Sequence, residues 1–243
     1  MSNAWFRCKQ FEVRQDRCAM KVSTDACIQG AWAASQAASL SPENVLDIGC
    51  GTGLLSLMLA QVLPDNCQIK GIELDAAAAG QAKENVAASP WNAQIDIETC
   101  SLQHFEAPGH TPYNFIICNP PFFHKHLPAS GRERRWARHS DQLDKPTLAH
   151  SLHVLLHKAG KACILYPAHE WPAWIQAAKA FGLFPERCLL IRPFAHKEIN
   201  RICGLFTFSA IAAPVSETLT IYENDKSYSG RAKELLRPYY LNL

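Results

Sequence analysis

Two short stretches of this 243-residue chain combine residue types and spacings able to do chemistry. The first is Asp47-Ile48-Gly49-Cys50-Gly51-Thr52-Gly53-Leu54, with Glu73 further along. Glycines at alternate positions let a backbone turn sharply and approach a ligand without Cβ clashes. A nicotinamide or flavin site would want G-x-G-x-x-G, with helix amides facing a pyrophosphate. Here the loop is G-x-G-x-G and opens on a carboxylate, which repels a pyrophosphate but suits a cationic head. Glu73 ends the following strand, where an acidic side chain can accept both hydroxyls of a ribose. A ligand carrying an amine and a ribose satisfies Asp47 and Glu73 together, and S-adenosylmethionine has both. The expected cofactor set is Asp47, Gly49, Gly51, Gly53, Glu73 and its neighbour Leu74.

The second stretch is Asn119-Pro120-Pro121-Phe122. Two prolines fix φ and remove two backbone donors, leaving rigid carbonyls at a cleft. An adenine exocyclic amine is a poor nucleophile because its lone pair is delocalised into the ring. The Asn119 side-chain oxygen and the Pro120 carbonyl can each accept one N–H of such an amine. Both bonds favour a pyramidal nitrogen, so they strengthen as the lone pair localises for attack on a sulfonium methyl. Phe122 offers a face for an extruded base, worth about 1–3 kcal/mol. No side-chain base is needed before attack, since the amine becomes acidic once methylated. Asn119, Pro120, Pro121 and Phe122 are the candidate catalytic residues, with Asn119 also bordering the cofactor.

The elements that must position these residues follow an alternating rhythm. Strands are expected at Asn44–Ile48, Gln68–Glu73, Gln94–Thr99, Tyr113–Cys118 and Lys161–Tyr166, with late strands at Leu189–Arg192 and Arg201–Ser209. Helices are expected at Leu54–Leu63, Ala76–Ala87 and Leu148–Leu156, the second stopped by Ser89-Pro90. Near-continuous apolar strands alternating with helices indicate one α/β, Rossmann-like domain. Its expected sheet is mostly parallel and seven-stranded, with helices on both faces and an antiparallel C-terminal edge. That domain is taken as 44–243. Residues 1–43 form an extension of it, with a capping helix at Ala26–Ala38 whose candidate caps are Ser23, Thr24 and Asp25. This helix is expected over the carboxyl edge of the sheet.

Composition narrows the function classes. With 48% apolar residues and 19% charged, the chain has the surface to fold. No apolar run approaches the roughly 18–20 residues of a membrane span. Arg7, Lys9, Arg14 and Arg17 precede no apolar core, which argues against a signal peptide and for a cytoplasmic protein. The ten cysteines include no CxxC pair, so no zinc ribbon is expected and all ten are read as reduced and structural. His150, His153 and His157 are spaced along one helical face, yet only Lys158 and Lys161 follow them, so no metal is assigned. No G-x-S-x-G elbow appears, which argues against a hydrolase. Beyond Phe122, Lys125 and the run Arg132, Arg134, Arg135, Arg138, with Trp136 interleaved, offer phosphate contacts and a stacking ring for RNA. Lys226, Arg231, Lys233 and Arg237 would extend that surface.

DIGCGTG, Glu73 and NPPF together resemble class I S-adenosylmethionine-dependent methyltransferases of the branch that acts on exocyclic amines. The segments Phe11–Ala33, Tyr228-Ser229 and Pro238–Leu241 make the chain similar, over nearly its whole length, to the bacterial tRNA1(Val) adenine-37 N6-methyltransferase family. The resemblance implies methylation of N6 on an RNA adenine, with tRNA as partner. It also implies an amino-terminal segment folded over the methionine moiety, making Lys21, Thr24 and Asp25 cofactor-side candidates. The family usually has tyrosine where Phe122 stands. At Ser101 an aspartate is expected to bind the cofactor adenine, and only a hydroxyl is offered. Three rivals stay open. A protein glutamine methyltransferase uses the same tetrapeptide but typically has a helical amino-terminal domain, for which the region before Asn44 leaves no room. A DNA adenine methyltransferase normally adds a recognition domain. A non-catalytic RNA-binding module would retain the fold without the reaction. Nothing in the chain requires a dimer, so a monomer is expected.

Overall fold

The structure, a computed structural model, describes residues 4–18, 20–105, 111–121 and 143–243. Phe122, Lys125, Arg132, Arg134, Arg135, Trp136 and Arg138 therefore lie outside the described residues. The chain opens with a two-stranded hairpin, β1 (Trp5–Arg7) and β2 (Glu12–Arg14), followed by α1 (Thr24–Ala38). Then come β3 (Asn44–Ile48), α2 (Leu54–Ala60), β4 (Gln68–Glu73), α3 (Ala76–Ala87), β5 (Ile95–Thr99), α4 (Leu102–Phe105) and β6 (Tyr113–Cys118). The rest is α5 (Lys145–Leu155), β7 (Leu156–Pro167), α6 (Trp171–Ala180), β8 (Phe184–Phe194), β9 (Arg201–Thr207), β10 (Val215–Tyr222) and α7 (Gly230–Leu236).

Eight strands form one sheet in the order β10-β8-β9-β7-β6-β3-β4-β5. All neighbours are parallel except at β9, which pairs antiparallel with both β7 and β8. The α/β class and the antiparallel C-terminal closure are as expected. The expected count of seven strands is corrected to eight: β10 adds a parallel outer strand beside β8. Its sequence, VSETLTIY, alternates polar and apolar residues and buries only Leu219 and Ile221. An edge strand shielded on one face has no need of an apolar run.

Alternation along the strands splits the interior into two apolar layers. Val45, Ile69, Phe115 and Ile117 face the layer built with α1, α2, α3 and α7, whereas Leu46, Ile48, Ile116 and Cys118 face α4, α5 and α6. In the second layer Trp174 is fully buried, with Tyr166 stacked at 5.2 Å and Phe206 edge-on at 5.5 Å.

Two placements differ from expectation. Helix α1 meets the carboxyl edge through Gln29 and Asp25, which contact the Cys118 carbonyl and Arg201, but does not run over that edge along its length. It packs along a sheet face, because ten of its fifteen residues are buried and need an apolar partner along their whole length. Ser23 is its N-cap, accepting from the Ala26 N–H at 3.2 Å. His157 is not on the helix of His150 and His153: α5 ends at Leu155 and His157 enters β7. His153 Nδ1 lies 2.8 Å from the Phe181 carbonyl, so that face is spent on packing α5 against the end of α6. All ten cysteines are free, nine of them buried.

At β9, Gly204 leaves room for an indole. A Cβ built there would overlap a ring carbon of Trp171 and lie 2.8 Å from one of Phe206. Gly204→Ala is expected to cost about 1–3 kcal/mol through overpacking, lowering the melting temperature by about 2–4 °C per kcal/mol. An unchanged thermal transition would show that Trp171 swings aside freely.

Candidate active site

The glycine loop turns because three of its residues take a left-handed backbone: Gly49, Gly51 and Gly53 have φ of 69°, 56° and 80°. A Cβ at Gly49 or Gly51 would touch nothing within 4 Å, so conformation requires glycine there and the space above stays open. The Gly49 and Cys50 N–H groups both donate to the Ile72 carbonyl, at 2.9 and 3.0 Å, which carries the chain from β3 toward β4 and away from β6. A cavity of about 140 Å³ opens at this point. Gly49, Gly51, Glu73, Leu74, Ser101, Asn119, Pro120 and Pro121 all border it. Three segments distant in sequence thus converge at the carboxyl ends of β3, β4 and β6.

Glu73 is held from both sides. Its Oε2 accepts from the Gly51 N–H and its Oε1 from the Asp75 N–H, each at 2.9 Å. Burial raises its pKa, and these backbone donors pull the other way. One N–H on each oxygen leaves lone pairs free for a further donor pair such as a ribose diol. Asn119 presents a different feature: its Oδ1 is buried and has no hydrogen-bond partner among the described residues. An acceptor in that state costs about 1–3 kcal/mol unless a ligand supplies the donor.

Asp47 departs from the direct ligand contact expected of it. It is fully buried beneath the loop and does not border the cavity. Its Oδ2 accepts from Ser56 twice, from the hydroxyl at 2.7 Å and the N–H at 3.1 Å. It therefore ties the end of β3 to the first turn of α2, and its negative end sits at that helix's positive terminus. Gly53 likewise lies off the cavity wall, as the residue from which α2 starts. Ser101 borders the cavity, but its hydroxyl accepts from the His104 N–H and sits 2.9 Å from His104 Nδ1, so it caps α4.

Lys21 and Thr24 are not on this wall. Lys21 is exposed, and Thr24 hydrogen-bonds Tyr228. Asp25 pairs with Arg201 Nε at 3.0 Å. Of the carboxyl-terminal cations, Arg231 is engaged by Glu217. The amino-terminal residues that do reach the cavity are Cys18 and Met20, which sequence reasoning passed over. They are delivered by two carboxamides of α3. Asn85 Oδ1 accepts from the Arg14 N–H at 2.9 Å, while its Nδ2 donates to the Arg14 and Thr52 carbonyls at 3.0 and 2.9 Å. Gln81 Oε1 accepts from the Arg17 N–H at 3.1 Å, and its Nε2 donates to Asp16 at 2.6 Å. The signal available was an i, i+4 pair of carboxamides on an alanine-rich helix, a polar stripe where packing alone would put small residues.

The family model described as "Methyltransferase small domain" matches residues 34–133. A curated tRNA1(Val) (adenine(37)-N6)-methyltransferase from Phocaeicola vulgatus is 40% identical, covering all of both chains. Among solved structures, an Agrobacterium tumefaciens protein described as a predicted O-methyltransferase superposes with a TM-score of 0.64 at 17% identity, covering 90% of this chain and 100% of that one. An O-methyltransferase from Bacillus cereus in complex with SAH gives a TM-score of 0.54 at 15% identity, over 79% and 84% of the two chains. These two likenesses concern the fold.

Burial pushes the Asp47 carboxyl from 3.8 up to about 7, against the pull of the Ser56 bonds. Because the folded state holds the proton more tightly, Asp47's contribution to stability is full below its unfolded pKa. It is lost as pH rises from about 4 through about 7. Asp47→Asn keeps an acceptor for Ser56 and removes the titration. Thermal melts across that window should show wild type losing stability relative to Asp47→Asn as pH rises, and parallel curves would refute the assignment.

Proposed function

The chain belongs to the tRNA1(Val) (adenine(37)-N6)-methyltransferase family, and from that premise we propose that it transfers a methyl group from S-adenosylmethionine to the exocyclic N6 of adenine in tRNA. The substrate we assign is the one its relatives' name gives, adenine 37 of tRNA1(Val). The observation that carries the reading is the buried, unpartnered Asn119 Oδ1 on the cavity wall directly before Pro120. An amine donor entering there completes the hydrogen bonding of a group that the fold leaves unsatisfied.

S-adenosylmethionine, when bound, supplies an electrophilic sulfonium methyl. Glu73 is assigned to the ribose hydroxyls, and Gly49 and Gly51 allow the close backbone approach. Leu74 and Ser101 line the same cavity, and we assign the amino-terminal cover to Cys18 and Met20 in place of Lys21 and Thr24. Asn119 Oδ1 and the Pro120 carbonyl each accept one N–H of the target amine, holding the nitrogen lone pair toward the methyl for direct in-line transfer. Pro120 and Pro121 keep that edge rigid. Phe122 is assigned the stacking face, and Lys125, Arg132, Arg134, Arg135 and Arg138 the RNA phosphates, from their places in the sequence. The proton lost from the methylated amine leaves to solvent without a side-chain base. We take residues 1–43 and 44–243 as one folding unit, since Cys8, Phe11 and α1 share an apolar layer with the central sheet. The protein is assigned as a monomer working in the cytoplasm; no described helix is long and apolar enough to cross a membrane.

The direct test is transfer from labelled S-adenosylmethionine to unmodified total tRNA, followed by nucleoside analysis. Labelled N6-methyladenosine in one valine isoacceptor is the expected product; label in DNA or protein alone would overturn the substrate. Asn119→Ala should lower kcat by about 10²–10³, the scale of a lost transition-state hydrogen bond, with cofactor binding nearly intact. Activity surviving within a few-fold would overturn the role of Asn119. Glu73→Ala removes a charged acceptor worth about 1.5–3 kcal/mol, so the calorimetric Kd for S-adenosylmethionine should rise about ten-fold or more. An unchanged Kd would move the ribose elsewhere.

A further inference from the structure

Helix α1 carries one side chain that its apolar surroundings do not explain. Gln29 is fully buried between Ile28 and Gly30, in the layer that packs α1 on the sheet. Its Nε2 donates to the Cys118 carbonyl at 2.8 Å and reaches the Cys163 carbonyl at 3.4 Å. Its Oε1 has no hydrogen-bond partner among the described residues. A half-satisfied buried carboxamide is a poor choice for packing, since an apolar side chain of similar length fills the space without stranding an acceptor. The donor half is therefore the part with a purpose.

Its target is the last residue of β6. Cys118 pairs with Ile48 of β3 and with Ile164 of β7, and β6 ends there. One residue further along β3 the Gly49 and Cys50 N–H groups have turned to Ile72, so the glycine loop leaves β6 where Asn119 begins. The Cys118 carbonyl belongs to the peptide plane that carries the Asn119 N–H. Fixing its direction restricts φ of Asn119 from the amino side. Pro120 restricts ψ of Asn119 from the carboxyl side by disfavouring the helical region. Asn119 is thus held by both flanking peptides, one pinned covalently by proline and the other by a hydrogen bond from a different layer of the fold.

We propose that Gln29 is a positioning residue for methyl transfer, its carboxamide holding the Cys118 carbonyl so that Asn119 Oδ1 stays aimed at the incoming amine. This rests on Asn119 accepting the amine, as assigned above. Gln29 touches neither cofactor nor substrate, and it is absent from the cavity wall. Its loss should therefore appear in the chemical step and not in binding.

The test replaces Gln29 with methionine, which keeps the length and removes the donor. Gln29→Met should lower kcat about ten-fold or more, the scale of a small misplacement at a reacting centre. KM for tRNA and Kd for S-adenosylmethionine should stay within about two-fold, since a purely packing role would move binding, stability and rate together. Nitrogen relaxation of the Asn119 side-chain amide, assigned by its absence in Asn119→Ala, gives a readout that needs no substrate. It should be rigid in wild type and more mobile in Gln29→Met. Unchanged mobility overturns the proposal whatever the substrate proves to be. Increased mobility in a protein that fails to methylate RNA would sustain the positioning and overturn the reaction assigned to Asn119. Should Gln29→Met not fold, wild type decides alone. A Gln29 carboxamide exchanging with solvent as fast as an exposed glutamine refutes the proposal, and slow exchange beside a rigid Asn119 amide supports it.

Discussion

The pair of hydrogen bonds from Gly49 and Cys50 to the Ile72 carbonyl is the constraint on which the site depends. In a parallel sheet the strand ends would otherwise continue side by side and close over one another. Here β3 hands its chain to β4 on one side, while β6 on the other side continues into Asn119-Pro120-Pro121. The crevice between those departures is the switch point where open α/β sheets bind ligands. The left-handed glycines make the departure sterically affordable, and Asp47 anchors its base by bonding Ser56 in α2. A side chain that repelled α2 at that point would loosen the loop even though it never meets a ligand.

The two chain ends reinforce this crevice by a route that runs outside the sheet. Lys9 N–H donates to the Tyr239 carbonyl, Cys8 bridges Tyr240, and Phe6 meets the Tyr240 ring edge-on at 5.7 Å. The Tyr239 hydroxyl reaches the Met58 carbonyl of α2 at 3.1 Å. The amino-terminal hairpin and the residues after it are therefore bracketed by the carboxyl terminus on one side and by Asn85 and Gln81 of α3 on the other. That bracket brings Cys18 and Met20 to the cavity. The two end segments on which the sequence resemblance was narrowed thus meet in one structural device.

The sequence was most legible where apolar continuity meets a sharp boundary. Strands β3, β4 and β6 and helix α3 have the expected ends because Gly49, the helix-capping Asp75, Pro120 and Ser89-Pro90 punctuate long apolar or alanine-rich runs. Strand β10 escaped because Ser216, Glu217, Thr218 and Thr220 give an edge strand the look of a loop. Helix α1 was misplaced for a different reason: its position was inferred from where a ligand should sit, whereas its burial is set by its own apolar content. Asp47 shows the limit most clearly. A carboxylate opening a glycine loop reads the same whether it faces a cation or caps a helix, and only the position of Ser56 distinguishes the two. At Asn119 the reading of rigid acceptors at the cleft agrees with the geometry, because the prolines that fix the backbone are themselves written in the sequence.

Buried acceptors without partners connect these observations. Asn119 Oδ1, Asp47 Oδ1 and Gln29 Oε1 all lack donors among the described residues, and all lie on or directly behind the strands that form the crevice. Each is costly to the apo fold, and a sequence selected for stability alone would replace them with apolar groups. Their costs differ in meaning. Asn119 borders the cavity and can be satisfied by a ligand N–H, so its deficit is recovered as binding energy. Asp47 and Gln29 lie behind the wall and do not border the cavity. Each spends its other polar atom on holding a backbone, the start of α2 for Asp47 and the end of β6 for Gln29. The reactive edge is thus one acceptor on a residue of the cavity wall backed by two clamps behind it, placed where displacement of a single peptide would misdirect the amine.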